Sequence, residues 1–402
     1  MAALRGKGVL RMQQHWQKQG YLFLASQNIS LFGTMVTGYA ITWYISLATN
    51  SGLWLALATV STLLPQILIS LIGGAWADRY SRKWLIMGAD GGIALLTLGL
   101  ALLWAAGIRE MWLLLVFAGL RSVGQGIQQP AVSSAYPQLV PEAELTRING
   151  LNQTFMALTT LLSPVLGGLI LANFNLYWAF MIDIVTAVIE LLCMTKIKLQ
   201  AVAAASDEQN EATLAAGLKY LFNNTVLRRL FTINAAAYLL MTPATILSLL
   251  LIQRKFGASV TNLTLQEILW ASGSIISGLL VAKHKQFKNN PRVFALAVGG
   301  FAIAMILMGV MPNLVLYLLT MFLAGWSAPF MMTAQAVIIQ TTAAPDFMGR
   351  TFAAYQMGSN LMLLIGSLLL GPLADVVPLA LIFASCGALL LATAVWYFQT
   401  DK

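Results

Sequence analysis

The chain alternates between long apolar runs and short polar or basic segments. A membrane-spanning helix needs about 20 consecutive, mostly apolar residues. Prolines inside several of the runs are tolerated where neighbouring helices satisfy the freed backbone groups. By length, the apolar runs predict twelve spans, at residues 20–48, 53–77, 84–106, 112–136, 146–172, 174–195, 228–253, 263–282, 293–311, 313–338, 348–371 and 377–398.

One long polar stretch, at 196–227, separates the sixth span from the seventh. Residues 211–222 have the pattern of a short amphipathic helix at the membrane surface, although a solvated linker with a helical piece fits equally well. We therefore predict an N-terminal six-helix bundle with a cytoplasmic tail at 1–195, a cytoplasmic central linker at 196–227 and a C-terminal six-helix bundle at 228–402.

The two halves show a weak internal repeat. One common interval, close to half the chain, separates Arg147 from Arg350, Gln153 from Gln356, and Gly168 from Gly371. Tandem duplication produces such an interval, and a substrate path between two repeats is typical of secondary transporters. The predicted fold class is an all-α membrane protein with twelve transmembrane helices in two pseudo-symmetric six-helix bundles.

Composition excludes several other classes of protein. The chain is 59% apolar and 9% charged, whereas soluble domains carry about 25% charged residues. Its net charge of +9 comes from short basic clusters between apolar runs. Basic clusters in this position indicate the orientation of the chain in the membrane, so we expect no nucleic-acid partner. Cys193 and Cys386 lie in apolar runs and both histidines in basic segments, so we predict no metal site and no cofactor.

The basic residues predict the orientation. Of the 23 Lys and Arg residues, Arg109, Arg254 and Lys255 fall on one side of the twelve-span arrangement and Arg121 falls within a span. The others fall on the side that holds both termini, which the positive-inside rule places in the cytoplasm. We therefore expect a multi-pass protein of the plasma or bacterial inner membrane, embedded in lipid as a monomer.

The segment after the second span reads GAWADRYSRK, at residues 74–83. Its glycine allows two helices to approach closely, its aspartate can face a helix N-terminus or a cation, and its basic residues anchor a loop beside anionic lipid. The pattern resembles the signature of the major facilitator superfamily, with Ser81 where a second glycine is usual. A generic positive-inside loop is the alternative. The resemblance implies a gating motif made of Gly74, Asp78, Arg79, Arg82 and Lys83.

Further segments narrow this resemblance. Residues 121–126, RSVGQG, resemble the superfamily's arginine and glycine motif in the fourth span. Pro164, Gly167 and Gly168 resemble the helix motif of its exporters, with Ser163 where a glycine is usual. The chain is most similar to the macrolide-efflux and enterobactin-exporter group, on residues 73–80, 82–83, 139–142, 145–146, 163–164, 167–168 and 349–350. Residues 88–90 also resemble macrolide-efflux relatives. The resemblance implies export.

Charged residues within predicted spans are functional candidates, because a charge at mid-bilayer costs about 2.5–3.5 kcal/mol on insertion scales. Arg121 is predicted either to bind substrate or tune an acid, or to form a structural ion pair with Asp183 or Asp90. Asp183 and Glu190 share a face of the sixth span and are candidate proton sites. Asp90 is predicted to act in coupling or to pair with a basic residue.

Uncharged polar residues are the candidates for a substrate cavity. The resemblance implies that the first, fourth, seventh and tenth spans line the cavity, although Ser and Thr there can equally hold helices together. The cavity candidates are Gln27, Ser30, Thr34, Thr37, Asn234, Tyr238, Trp326 and Thr333.

These observations predict a secondary active transporter that works by alternating access. We expect it to be an antiporter that exports amphipathic organic compounds, drug-like or macrolide-like, in exchange for protons, and so to confer multidrug resistance. A siderophore or lipid exporter of the same fold is the alternative, and a nontransporting receptor or channel is the alternative from another class. The sequence contains no Walker-type phosphate loop. It also shows no catalytic constellation within its spans, so we expect no enzyme.

Overall fold

The computed structural model describes residues 2–199, 211–283, 287–344 and 347–400. Within them the chain is almost entirely helical, because a backbone that crosses lipid must satisfy its own hydrogen bonds. The helices are α1 (Ala2–Thr49), α2 (Gly52–Arg79), α3 (Arg82–Ala105), α4 (Met111–Leu139), α5 (Glu142–Asn173), α6 (Leu176–Lys196), α7 (Glu211–Asn223), α8 (Thr225–Thr242), α9 (Ser248–Phe256), α10 (Val260–Lys283), α11 (Asn290–Val310), α12 (Leu314–Thr342), α13 (Met348–Val376) and α14 (Leu379–Thr400).

The long helices coincide with the twelve predicted spans and confirm the predicted fold class. Among the described residues, eleven helices are long and apolar enough to cross a membrane, counting Thr225–Phe256 as one. The remaining long helix, α4, carries Arg121 and two prolines. Helical backbone also extends beyond the predicted ends, since α1 begins at Ala2 and α2 continues to Arg79.

Helix ends and one irregularity follow from local sequence. Asn175, Asn224, Asn289 and Asn313 each accept a backbone N–H at the start of α6, α8, α11 and α12. Asparagine is among the best residues for this capping role. Between α8 and α9, the backbone widens into a π-helical turn at Pro243–Leu247. Proline lacks the N–H of a regular α-helix and clashes with the preceding turn, which accounts for the irregularity at this position.

The chain forms two compact units, which we call unit 1 (Met1–Ile41 and Ser61–Ser206) and unit 2 (Thr42–Val60 and Asp207–Lys402). Residues 42–60, the end of α1 and the start of α2, belong to unit 2. Helices α1 and α2 therefore each continue from one unit into the other. The domain limits at 195 and 227 stay a prediction.

Unit 1 is built on the packing of α3 against α4 and α6. A buried cluster near one end includes Phe23, Ile86 and Met194, with Phe23 and Tyr136 in edge-to-face contact at 5.1 Å. Helices α2 and α4 meet backbone to backbone, because a Cβ at Gly73 would collide with the carbonyl of Gly126. Small residues allow such close crossings in membrane helices.

Unit 2 is built on α10, α11, α12 and α14. Helices α10 and α12 cross at two glycines. A Cβ at Gly273 would collide with Phe322, and one at Gly325 would collide with Trp270. Helix α7 packs against α13 and α8. The Tyr220 ring of α7 stacks on Phe347 at 4.5 Å. This helix thus contacts protein at the connection between α12 and α13.

Candidate functional site

A buried ion pair joins α4 to α6 in unit 1. The Arg121 guanidinium lies 2.8 Å from the Asp183 carboxylate, with side chains only 6% and 2% exposed. Asp183 also accepts hydrogen bonds from Thr34 of α1 at 3.1 Å and Thr97 of α3 at 2.8 Å. Four helices therefore converge on one carboxylate. We call these residues, Thr34, Thr97, Arg121 and Asp183, the Asp183 layer.

A second polar group lies on the same four helices. Gln27 of α1 donates to Glu190 of α6 at 2.8 Å. Gln128 of α4 donates to both carboxylate oxygens of Asp90 of α3, at 3.0 and 3.1 Å, and lies 3.4 Å from the Gln27 oxygen. We call these residues, Gln27, Asp90, Gln128 and Glu190, the Glu190 layer.

The Glu190 layer holds two buried carboxyl groups. Asp90 is 3% exposed and Glu190 is fully buried, and their amide donors, Gln128 and Gln27, lie 3.4 Å apart. Oxygen Oε2 of Glu190 accepts no hydrogen bond from any described donor. A proton on Asp90 or Glu190 would remove one of the two negative charges of this layer.

Charge is unbalanced across the two layers. One guanidinium, that of Arg121, accompanies the carboxyl groups of Asp183, Asp90 and Glu190 in unit 1. Arg121 pairs with Asp183, whereas Asp90 accepts hydrogen bonds from the Gln128 amide and from no cation among the described residues. Both predicted roles of Asp90, coupling and pairing with a basic residue, stay predictions. Burying an uncompensated charge costs several kcal/mol.

The predicted gating motif joins helix ends. Arg82 donates to the carbonyl of Ala77 at 3.1 Å and to that of Ser134 in α4 at 2.8 Å. Lys83 donates to the carbonyls of Thr195 and Ile197, at 3.1 and 2.7 Å, where α6 ends. Cations at helix C-termini complement the helix dipole. The Arg82 and Lys83 side chains therefore tie α3 to the ends of α2, α4 and α6.

Among the other motif residues, the glycine is placed differently from expectation. An added Cβ at Gly74 would meet no described atom within 4 Å, whereas the close helix approach falls on Gly73. Arg79 is exposed at the end of α2. The Asp78 side chain lies outside the part of the structure that is described, so its predicted partner stays a prediction.

The predicted cavity residues of α1 face α6. Thr37 donates to the carbonyl of Ala179 at 2.8 Å, and both it and Ser30 are buried. At Gly33 an added Cβ would collide with Thr186 of α6. The polar face of α1 therefore packs against a neighbouring helix, the arrangement in which polar groups hold helices together.

Unit 2 contains the other cavity candidates. Asn234 of α8 is buried and donates to Ser359 of α13 at 2.8 Å, while its own Oδ1 accepts no hydrogen bond from a described donor. Tyr238, Trp326 and Thr333 are half-buried. Unit 2 also holds an acid within a span, Glu267 of α10, which the sequence analysis does not single out.

The predicted exporter motif lies on α5, where Pro164, Gly167 and Gly168 are buried. Gly167 faces α1, with the carbonyl of Val36 at 3.3 Å from an added Cβ and the Tyr39 Cβ at 3.6 Å. The glycine thus lets α5 lie close to α1. Among the described residues, no three His, Cys, Asp or Glu side chains group into a metal-binding cluster.

Sequence reasoning missed Thr97 and Gln128. Each follows a predicted candidate by seven residues, as Thr97 follows Asp90 and Gln128 follows Arg121. Seven residues are close to two helical turns, so both members of such a pair share a helix face. The same interval separates the layer residues of α1 and of α6, and this regular spacing was the available signal.

Comparison with known proteins gives consistent results. A family model described as transmembrane secretion effector matches residues 17–401. Macrolide efflux protein A of Streptococcus pyogenes is 24% identical over 388 residues, covering 95% of each chain. Enterobactin exporter EntS of Shigella flexneri is 26% identical over 374 residues, covering 92% of this chain and 88% of that protein.

Solved structures show the same fold. The nucleoside transporter NupG superposes with a TM-score of 0.73 at 15% identity, covering 95% of this chain and 99% of that one. A transporter of the POT family, solved with a thioalcohol-conjugated peptide, superposes with a TM-score of 0.75 at 12% identity, covering 96% of each chain.

Proposed function

Because this chain belongs to the transmembrane secretion effector family of the major facilitator superfamily, we propose that it is a proton-coupled exporter of amphipathic organic compounds. Transport proceeds by alternating access, in which a substrate site opens to one side of the membrane at a time. Proton entry supplies the free energy, so the protein is an antiporter. It acts in the cell membrane, with both termini in the cytoplasm, as a monomer.

The burial of Asp90 and Glu190 in one polar layer carries this proposal. A proton-coupled carrier needs a group inside the membrane that binds and releases a proton during the cycle, and intramembrane acids commonly serve this role. The Asp90 and Glu190 carboxyl groups are buried and supported by Gln128 and Gln27. One proton on either of them removes one of their two negative charges.

Proton binding is linked to helix packing in this account. With the proton bound, α1, α3, α4 and α6 stay packed around the Glu190 layer. Loss of the proton leaves a second buried charge, and its desolvation cost favours a state in which water reaches the carboxyl groups. Arg121 and Asp183 form the fixed ion pair of the neighbouring layer, so we assign them the role of holding the four helices in register.

The relatives support the proposed substrate class. Macrolide efflux protein A supports export of macrolide-like drugs, and such activity confers drug resistance. The enterobactin exporter and the staphyloferrin A transporter of Staphylococcus aureus support a second candidate, a siderophore. Macrolides and siderophores are both bulky organic molecules, and a lipid exporter falls within the same class of function.

A substrate panel tests the proposal. Cells lacking other exporters are loaded with macrolides, siderophores or amphipathic dyes, and efflux is followed with and without an uncoupler. We expect efflux of at least one class, abolished by the uncoupler, and counterflow of the labelled compound in proteoliposomes. Efflux that persists without a proton gradient would overturn proton coupling. A steady current without counterflow would indicate a channel.

A further inference from the structure

The turn between α1 and α2 is held by a carboxylate from α13. Asp375 accepts hydrogen bonds from the backbone N–H of Gly52 at 2.7 Å, that of Leu53 at 3.0 Å and the Ser51 hydroxyl at 2.7 Å. The first N–H groups of a helix have no partner within the helix, and an anion there is stabilised by the helix dipole. Asp375 therefore caps α2 from a helix far away in the sequence.

An arginine from α9 holds the other side of the same turn. Arg254 donates to the Asn50 carbonyl at 2.7 Å and the Asn50 side-chain oxygen at 3.2 Å. It also donates to the Ala374 carbonyl at 2.6 Å and to Asp375 at 3.0 Å. Asn50 itself has a φ of 47°, the left-handed conformation that asparagine tolerates better than most residues. The guanidinium thus binds the α1–α2 turn and the end of α13 at the same time.

Backbone packing brings these groups together. A Cβ at Gly52 would collide with the carbonyl of Gly371, and a Cβ at Gly371 would collide with Ala56. Ser46, about one helical turn before Asn50 in α1, accepts a hydrogen bond from Gln253 of α9 at 2.6 Å. All these residues belong to unit 2. We call Asn50, Ser51, Gly52, Arg254 and Asp375 the clasp.

The clasp is polar and open to water. Asp375 and Arg254 side chains are 29% and 30% exposed, and a surface cavity of about 460 Å³ lies beside them. Water can replace charged hydrogen bonds at such a site, so the free energy of breaking them is small compared with that of a buried ion pair. Several hydrogen bonds of this kind fix the position of a helix end, and water can replace them when the helix end moves.

We infer that Asp375 and Arg254 are positioning residues of the transport cycle, which hold the α1–α2 turn in unit 2 and release it when access alternates. This inference rests on the proposed alternating-access function. Helices α1 and α2 each continue from unit 2 into unit 1. When either unit moves, the turn must therefore move with unit 1 or stay with unit 2. The hydrogen bonds of the clasp keep the turn with unit 2, and breaking them lets it move with unit 1.

Distance measurements between spin labels test the inference. In a background with Cys193 and Cys386 replaced by alanine, labels are placed at Leu53→Cys and Val376→Cys, both exposed positions. We expect one short distance in the parent. In Asp375→Ala and Arg254→Gln a second, longer distance should appear. The ratio of its population to that of the short distance should rise about tenfold, because charged hydrogen bonds are lost. Gradient-driven transport should fall in both.

Matched variants separate the clasp from a general charge effect. Glu110→Gln removes an exposed acid whose side chain caps no helix, and should leave distances and transport unchanged. Arg254→Lys keeps the charge but not the planar fork of donors, so it should behave like Arg254→Gln. Exchanging the two charges, Asp375→Arg with Arg254→Asp, should not restore the short distance, because an arginine cannot accept from the N–H groups of α2. Restoration would show a simple ion pair and overturn the capping role.

Two further readouts keep the inference falsifiable. If Asp375→Ala fails to fold, Ser51→Ala removes one clasp hydrogen bond and should give a smaller shift in the same direction. Unchanged distances in all clasp variants overturn the inference, whatever the transport result. Counterflow in the parent without a response to a proton gradient would instead overturn the proposed coupling and leave the clasp result standing.

Discussion

Asp183 and Glu190 lie seven residues apart on α6, yet they belong to separate polar layers. Asp183 pairs with Arg121, while Glu190 accepts from Gln27 in the layer that also holds Asp90. Two helical turns separate the layers, about 10 Å along the helix. The same four helices contribute to both layers. One layer holds an ion pair, and the other holds two carboxyl groups with amide donors.

The ion pair predicts a large loss of stability when one partner is removed. Arg121→Ala leaves Asp183 buried without its cation, which costs about 3–5 kcal/mol in comparable cases. We also expect reduced transport. Unfolding of the purified protein in detergent, followed by heat or denaturant, measures the loss.

An exposed pair in the same unit provides the control. Arg147 lies 3.7 Å from Glu144 with side chains 64% and 36% exposed, so Arg147→Ala should cost about 0–1 kcal/mol. The double variant Arg121→Gln with Asp183→Asn should be more stable than either single charge removal. Equal stability of Arg121→Ala and the parent would show that the pair is not buried as described.

Adjacent glycines at the end of α2 should respond differently to alanine. Gly73→Ala places a Cβ against the backbone of α4 and should cost about 1–3 kcal/mol through overpacking. Gly74→Ala meets no described atom within 4 Å and should fold like the parent. Comparison of folded yield and melting temperature checks this, and a larger loss at Gly74 would place the helix crossing elsewhere.

Asp78→Asn should impair transport while leaving folded protein in the membrane. The expectation comes from the resemblance of residues 74–83 to the superfamily signature. The predicted partner of the Asp78 carboxylate is a helix N-terminus or a cation. One charged hydrogen bond of roughly 1.5–3 kcal/mol corresponds to at least about a tenfold change in an equilibrium. Initial efflux rates, normalised to membrane protein, measure the effect. Parent-like transport would argue against a gating role.

Thr97→Val tests the Asp183 layer without changing charge. The substitution keeps side-chain volume and removes a hydroxyl whose one proton has two acceptors in reach, Asp183 at 2.8 Å and the Ile93 carbonyl of its own helix at 2.9 Å. We expect a loss of about 1–2 kcal/mol in unfolding free energy. Ser122→Ala is the matched control, because the Ser122 hydroxyl bonds within its own helix. An equal effect of the two would show that the bond to Asp183 adds no stability.

The spans could be predicted from the sequence, because each membrane helix must by itself be long and apolar enough to cross the lipid. It also marked Arg121, Asp183, Asp90 and Glu190, since charges are conspicuous in apolar runs. Their partners depend on how each helix is rotated about its axis, which no single span determines. Gln128 was recognisable only from its seven-residue spacing to Arg121.

The clasp lay beyond sequence reasoning for a different reason. Arg254 and Asp375 are 121 residues apart and sit at helix ends, where charged residues are common and carry no signal. Ser51 and Gly52 look like ordinary turn residues. The contact depends on the packing of Gly52 against Gly371, which is a property of the folded unit.

Proton-driven substrate accumulation in proteoliposomes reports whether Asp90 and Glu190 carry the coupled proton. Substrate uptake is measured with an imposed pH gradient for the parent, Asp90→Asn, Glu190→Gln and the exposed-acid control Glu142→Gln. We predict that the parent and Glu142→Gln accumulate substrate, while Asp90→Asn and Glu190→Gln lose accumulation but retain gradient-free counterflow. Full gradient-driven accumulation by the double variant Asp90→Asn with Glu190→Gln would show that neither acid carries the coupled proton.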